Sequence, residues 1–330
     1  MKRTVFSLIF LLTFVFFSSD ALATTIFSPL LEIEVDPGIT EKGVVKVFNE
    51  TDAELFLTAT VEPFTAGDES GQPLYLPPEA KHNYLDWFDL EEDLIIILPN
   101  QLRVVPFNIN VPADAVPGGY YAVIFWGNEP SPAVGDIAVS IRGKVGTLIF
   151  LRVKGEATEI GEVLEFRTEP IKNIFWQLPI NFVTRFSNNG NVHLKPTGTI
   201  ELDGWFGENK IFPVNQDERF IIPQTVRRFQ VVWGQEPIGN FWENFIVGFK
   251  QEFSGLTFGK YTATLKLNFG LDTNQELTDE IIFWILPYHL FSVLLIVIIF
   301  LGIFIKINKR IKKLKNKSSV PLPEKDNNEQ

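Results

Sequence analysis

From Thr24 to Ile282 the chain is written in short alternating runs broken by turn residues, and this constrains its fold more than any other feature. VVKVFNETDAELFLTATVEPF alternates apolar and polar side chains around an Asn-Glu-Thr-Asp turn. LRVVPFNINVP, YYAVIFW, IAVSIRGKVGTLIFLRVKG and YTATLKLNFG behave alike. A period of two places successive side chains on opposite faces of a sheet, so each run predicts a strand with one buried face. Val, Ile, Thr, Phe and Tyr dominate these runs, the residues that suit a half-buried pleated surface. Many such strands at close spacing predict sheets packed face to face.

Three landmarks recur in the same order. Phe48-Asn49 through Thr60 and Glu62 is echoed by Phe186 through Thr199 and Glu201, each reading as a hairpin turn and its return strand. Pro99 to Arg103 is echoed by Pro223 to Arg227, and Gly119 to Tyr121 by Gly259 to Tyr261. A shared order of landmarks predicts two copies of one fold. Asn and Gly tolerate the positive φ of tight turns, and a Pro suits the start of an edge strand. The fold class expected is all-β: two tandem immunoglobulin-like β-sandwich domains, 24–156 and 157–282, plus one C-terminal transmembrane helix.

The ends carry two apolar segments of different character. MKRTVFSLIFLLTFVFFSSDALA has a basic start, an apolar run too short to span a bilayer comfortably, and the small-x-small site Ala21-Leu22-Ala23. It reads as a signal peptide over 1–23. PYHLFSVLLIVIIFLGIFI, from Pro287 to Ile305, has no charge. As a helix its length of about 28 Å matches one bilayer core. A transmembrane helix is therefore expected over 283–305, with Trp284 and Tyr288 at the outer interface. The basic tail 306–330 follows, with Lys306, Lys309, Arg310, Lys312 and Lys313 closest to the span. That flank places the tail in the cytoplasm and predicts a single-pass type I protein in the cell membrane. The remainder, from Ser318, has the polar composition of a disordered end.

Charge divides at the span. Thr24 to Ile282 holds 19 basic and 36 acidic residues, and Lys306 onward holds 8 basic and 3 acidic. An acidic exported part lacks the positive face that nucleic acid requires. The absence of cysteine excludes thiolate metal sites and disulfides, so stability must come from the core.

Taken together, these residues resemble the WxL-interacting proteins, bacterial cell-surface proteins. FSPLLEIEVDPG, the VFNETD turn, GDESGQPLY, LPNQLRVVPFNINVP and PGGYYAVIFWG are similar to that family's first domain. FSNNGNVHLKPTGTIEL, IPQTVRRFQVVW and FGKYTATLKLNFG are similar to its second. The resemblance implies immunoglobulin-like domains, the first linked to peptidoglycan (cell wall binding) and the second to host or partner proteins. No ligand-contact motif can be matched, so no binding residue carries over.

Chemistry is sparse. His82 and His193 lie far apart without ligand spacing, His289 falls in the span's first turn, and no HExxH, GxSxG or Walker loop occurs. No catalytic residue, metal or cofactor is assigned, and the reading is non-enzymatic. Asp68 and Glu69, and the five carboxylates between Asp86 and Asp93, lack the spaced pattern of a known calcium loop. They read as solvated loops within the long connection from Thr65 to Leu98.

Domain 2 offers a sharper feature. NFWENFIVGFKQEFSG predicts a helix near 241–253, capped by Asn240 with Glu243 three residues on and ended by Gly255. Phe241, Phe245, Phe249 and Phe253 fall four apart on it. Either this stripe is buried where the helix covers a sandwich edge, or it is a surface for a partner or the membrane. Trp205 and Phe206, in a hairpin turn, form a lesser candidate interaction surface. The function expected is that of a membrane-anchored surface protein binding peptidoglycan or a partner surface protein. Two alternatives stay open: an assembly factor resembling the two-domain pilus chaperones, against which the span counts, and a structural spacer of an envelope complex.

Overall fold

The computed structural model describes residues 24–77, 82–128, 143–206, 209–236, 239–255 and 257–318. The expected signal peptide and the tail beyond 318 lie outside the described residues. Four sheets fall into two sets. In the first, β1 (Thr24–Ile26), β3 (Thr40–Asn49), β8 (Leu102–Asn110) and β6 (Phe88–Leu90) lie in that order. They face β2 (Leu30–Val35), β10 (Lys144–Val153), β9 (Gly118–Asn128), β4 (Leu55–Ala66) and β5 (Pro73–Tyr75), with β7 (Leu94–Ile97) also on β4.

The second set is β11 (Gly161–Glu169), β13 (Ile180–Asn188) and β16 (Thr225–Trp233). It faces β12 (Ile174–Phe175), β18 (Gln275–Ile285), β17 (Gly259–Phe269), β14 (Thr197–Gly204) and β15 (Lys210–Val214). The two orders match except that β6 and β7 of the first set have no counterpart in the second. An unusual detail matches too: β2 runs parallel to β10, as β12 runs parallel to β18, in otherwise antiparallel sheets.

Alternation builds both cores. Val45, Val47, Val105, Phe107 and Ile109 point inward from one sheet of the first set, onto Leu55, Leu57, Ile124 and Leu151 of the other. Phe182, Phe186 and Phe229 meet Ile200, Leu265 and Phe283 in the second set. Each fully buried side chain of this size contributes roughly 1.5–3 kcal/mol relative to exposure.

The three landmarks occupy matching places, but two differ from what was expected. Pro223 precedes an edge strand, β16, whereas β8, after Pro99, lies between β3 and β6. The first landmark does different work. The Phe48-Asn49 and Phe186 segments were expected as hairpin turns. Instead β3 and β4 lie in different sheets, as do β13 and β14, so each turn is an arch from one layer to the other. A buried asparagine holds each arch. Asn49 Nδ2 donates to the carbonyls of Ala53 (2.7 Å) and Ile97 (3.0 Å), leaving no local strand pairing to form. Asn100 and Gln224, in the second landmark, share a left-handed φ of 56° and 60°. Tyr121 and Tyr261, in the third, are both buried.

Two helices complete the structure. α1 (Phe241–Ser254) carries the expected capping box between Asn240 and Glu243, and Gly255 caps its end. α2 (Tyr288–Ser318) is long and apolar enough over Tyr288–Lys313 to cross a bilayer. The span expected over 283–305 thus begins later. Phe283 and Ile285 belong to β18 and are buried in the core, because their alternation continues the strand to that point.

Candidate functional site

Three regions could serve function: the seam between the sheet sets, an apolar strand edge in the first set, and the end of the molecule where α2 begins. The seam is built from residues of both halves. Phe64, Tyr121, Val123, Phe125 and Phe150 form one buried cluster with Phe220 and Ile222. His193 sits among these rings, 5.0 Å from Phe220 and 5.4 Å from Phe150 between centroids. Its Nδ1 lies 3.4 Å from the Tyr121 hydroxyl and its Nε2 3.3 Å from a Glu32 carboxylate oxygen. The hydrogen bond from His193 holds the Glu32 pKa below its ordinary value, against the opposing effect of burial and with help from Lys195. Both ring nitrogens face protein groups, so His193 is a seam residue.

A latch closes the other side of the seam. In the linker between β10 and β11, the buried Glu159 accepts from the backbone N–H of Leu271 (2.9 Å) and Thr273 (3.2 Å), and from the Thr273 hydroxyl (2.9 Å). Buried Arg152, near the end of β10, lies 3.5 Å from the same carboxylate and also pairs with Asp272. Burial opposes ionisation of Glu159, but the donors from Leu271, Thr273 and Asp272 outweigh it and leave the pKa lowered.

A clasp closes the third side. Glu69 accepts from Arg185 Nε at 2.9 Å and pairs with the same guanidinium through its other oxygen, while Arg228 N donates to the Glu69 carbonyl at 2.7 Å. Asp68, its neighbour, accepts from Ser70 N at 2.8 Å. The acidic loop that sequence left as solvated is therefore partly a joint. Among the described residues, no group of three or more His, Cys, Asp or Glu could hold a metal.

The strand edge lies in the first set. Among the described residues, β7 pairs with β4 alone. Ile95 and Ile97 point into the core, while Leu94 and Ile96 are 53% and 51% exposed, beside exposed Phe56 and Leu98. No charge occurs within the four residues of β7, and the charges that guard this edge, Glu91, Glu92 and Asp93, lie just before it. Nothing in the sequence singled it out, because LIIIL reads equally well as buried strand.

The third region gathers nearly every candidate residue from the sequence. α1 does not bury its stripe against a sandwich edge, which corrects one of the two expectations. Phe241 is 70% and Phe253 61% exposed, Phe245 and Phe249 are half-buried, and the helix's buried residue is Glu252. The reason is the partner: α1 packs against the first turn of α2. Glu252 Oε1 lies 2.6 Å from His289 Nδ1, and its Oε2 accepts from Leu290 N at 2.9 Å. Gly248 leaves room for the imidazole, since a Cβ there would lie 2.3 Å from it.

Trp242, 70% exposed, and Ile246 join Phe253 on the open face; sequence missed both, although their spacing of 4 and 7 was available. Trp205 and Phe206 project from the β14–β15 hairpin, Trp205 edge-on to Trp284 at 5.1 Å and Phe206 stacked on Phe258 at 5.9 Å. Phe258 in turn meets Phe291 of α2 at 5.8 Å. Tyr288 is exposed, and Lys306, Lys309, Arg310, Lys312 and Lys313 line the far third of α2, all exposed.

These features define a class: a β-sandwich protein bearing one helix fit to cross a membrane. No family model matches the chain, and no curated protein matches it. Solved structures with similarity include the class 5 fimbriae chaperone CfaA, at 12% identity and a TM-score of 0.37, covering 78% of this chain and 98% of that one. The CupB2 chaperone of Pseudomonas aeruginosa shows 10% identity and a TM-score of 0.33 over the same shares. The PapD-like domain 7 of human CEP192 shows 12% and 0.29, covering 42% and 89%. Likeness this distant carries no argument about what the chain does.

Proposed function

We propose that the chain is a non-enzymatic, membrane-anchored bacterial surface protein that captures an extended segment of a partner protein. In this reading 24–156 and 157–282 are two immunoglobulin-like domains outside the cell. α2 is the single span, and the basic tail lies in the cytoplasm. The resemblance to the WxL-interacting proteins supplies the family frame. The seam, latch and clasp make the two sandwiches one stiff arm, which holds a binding surface at fixed height.

The observation that carries the reading is the open apolar edge of β7. A strand added there would satisfy its free backbone groups, and alternate side chains would pack beside Leu94 and Ile96. An extended protein segment fits such an edge. The glycan strands of peptidoglycan do not, having no amide backbone to offer. A photo-crosslinking amino acid in place of Ile96, in living cells, tests this. Capture of one surface protein, lost when Leu94→Lys is added, is the expected outcome. Crosslinks only to wall glycan, or none, would overturn it.

Strand capture would equally serve an assembly factor, and the shared requirement for a free edge favours keeping that second reading. The two separate on the client: a protein that aggregates unless this chain is present identifies an assembly role.

A further inference from the structure

The aromatic side chains at the α2 end share one level of the molecule. His289 is 17 residues before Lys306, a helical rise of about 26 Å, close to the thickness of a bilayer's hydrocarbon core. If α2 spans, as proposed above, His289 therefore stands at the outer boundary of the hydrocarbon. α1 is fixed to that turn by Glu252 and by the imidazole seated at Gly248.

The open face of α1 points away from this contact. At 100° per residue, Trp242, Ile246 and Phe253 fall within about 40° of one another. Lys250 and Glu243, both exposed, flank that face. This is the layout of a helix lying in an interface, apolar on one side and polar at its margin. The Trp205–Trp284, Phe206–Phe258 and Phe258–Phe291 contacts bring Trp205 and Phe206 against the end of β18 and the first turn of α2. Trp and Tyr settle at this depth because their rings bury while their polar atoms stay wet.

The joint between strand and span is also stiff. Only Leu286 and Pro287 separate β18 from α2. Trp284 N, Leu286 N and Tyr288 N donate to the carbonyls of Asn173 (2.8 Å), Phe175 (2.8 Å) and Trp176 (3.0 Å). These bonds tie the start of α2 to the second sandwich, and the Glu252 contacts tie α1 to the same turn.

We infer that α1 and the Trp205–Phe206 hairpin form a collar seated in the outer-leaflet headgroup region, so that the second sandwich rests on lipid rather than floating on a tether. The occupant of the open aromatic face is lipid because α1 packs against the first turn of the span, beside the aromatic contacts of the β14–β15 hairpin. The inference rests on α2 crossing the membrane, and the experiment separates the two.

The chain has no cysteine, so single replacements can each carry one nitroxide label. Trp242→Cys, Ile246→Cys and Phe253→Cys sample the open face of α1, where exposed labels do not disturb packing. Ile298→Cys samples the middle of the span, and Asp52→Cys samples the far sandwich. The full-length protein is reconstituted in phosphatidylcholine vesicles, with and without phosphatidylglycerol. Collisions with oxygen, which concentrates in lipid, are compared with those of a water-soluble nickel chelate.

The expected result is a loss of chelate collisions and a gain of oxygen collisions at 242, 246 and 253, approaching the pattern at 298 and opposite to that at 52. Water-like behaviour at 242, 246 and 253 with lipid-like behaviour at 298 overturns the collar and leaves the anchor standing. Water-like behaviour at 298 overturns the anchor itself. Low collision rates with both reagents at 242, 246 and 253 mean that protein, such as a second copy of the chain, covers the face, and this also overturns the inference.

Discussion

Asn49 and Asn188 do the same work in the two sheet sets. Each is fully buried at the end of a strand, and each Nδ2 donates to the carbonyl four residues on: Ala53 at 2.7 Å, Val192 at 2.8 Å. The second proton of each goes to a carbonyl on a distant segment, Ile97 at 3.0 Å and Ile221 at 2.8 Å. Each Oδ1 accepts from the N–H two residues on, Thr51 at 2.9 Å and Gly190 at 3.0 Å. Removing either side chain would leave several buried backbone groups unpaired. Asn49→Ala and Asn188→Ala should each cost about 2–3 kcal/mol, read from urea unfolding of the detergent-solubilised protein. Near-neutral effects would mean that water or a shifted backbone replaces the amide.

The Arg152–Glu159 latch should resist substitution more strongly. Both side chains are buried, and deleting Glu159 leaves Arg152 with Asp272 as its remaining acidic partner, at a cost of about 3 kcal/mol. Glu159→Ala also strands the N–H groups of Leu271 and Thr273. Its expected signature is a broadened distance distribution between spin labels at Asp52→Cys and Glu276→Cys, one on each sheet set. A narrow, unchanged distribution would show that the aromatic seam alone keeps the arm stiff.

Acid should loosen the same joint. The folded pKa values of Glu159 and Glu32 lie below the ordinary 4.5. A depressed carboxylate pKa contributes stability that is present above the unfolded value and lost as pH falls through the folded one. The label distances should therefore hold constant at neutral pH and broaden only below about 4.5. Glu159 should dominate, since Glu32 is more than a third exposed and screened by solvent. Glu159→Gln should remove most of the acid response, and a response left intact in that variant would place its origin elsewhere.

The parts legible in the sequence were those written in local chemistry. The Asn49 and Asn188 turns, the Pro223 start of an edge strand and the capping box at Asn240 each depend on residues a few positions apart. What escaped depends on partners far along the chain. VFNETD reads as a hairpin until the strand positions show β3 and β4 in different sheets. Glu159 meets Leu271 across 112 residues. The period of α1 marked an apolar helix, but only its contact with His289 decides that Glu252 turns inward and Trp242 outward. Phe283 and Ile285 sat inside the run assigned to the span because hydropathy cannot distinguish the last inward residues of a strand from the first of a membrane helix.

Topology is open to direct labelling. Asp52 is exposed in the first sheet set, and Lys313 lies past the apolar segment of α2 among five exposed basic residues. The positive flank predicts that this end stays inside. On intact cells a membrane-impermeant maleimide should label Asp52→Cys and spare Lys313→Cys until the membrane is opened. The reverse pattern would invert the orientation and remove any role at the cell surface.

The β7 edge yields the most discriminating substitution. Ile96 faces outward opposite Phe56, so a charge there is solvated and the core residues Ile95 and Ile97 are untouched. Ile96→Lys should change stability by less than about 0.5 kcal/mol, as surface replacements do. An incoming strand would nevertheless have to bury the ammonium or forgo its place, because edge lysines block pairing. Partner capture should therefore fall while the melting curve stays in place. Ile211, exposed on the edge strand β15 of the second sheet set, supplies the control: Ile211→Lys makes the same chemical change on the other sandwich. If both variants lose the partner equally, charge rather than position is responsible. If neither does, the segment that binds this protein docks elsewhere.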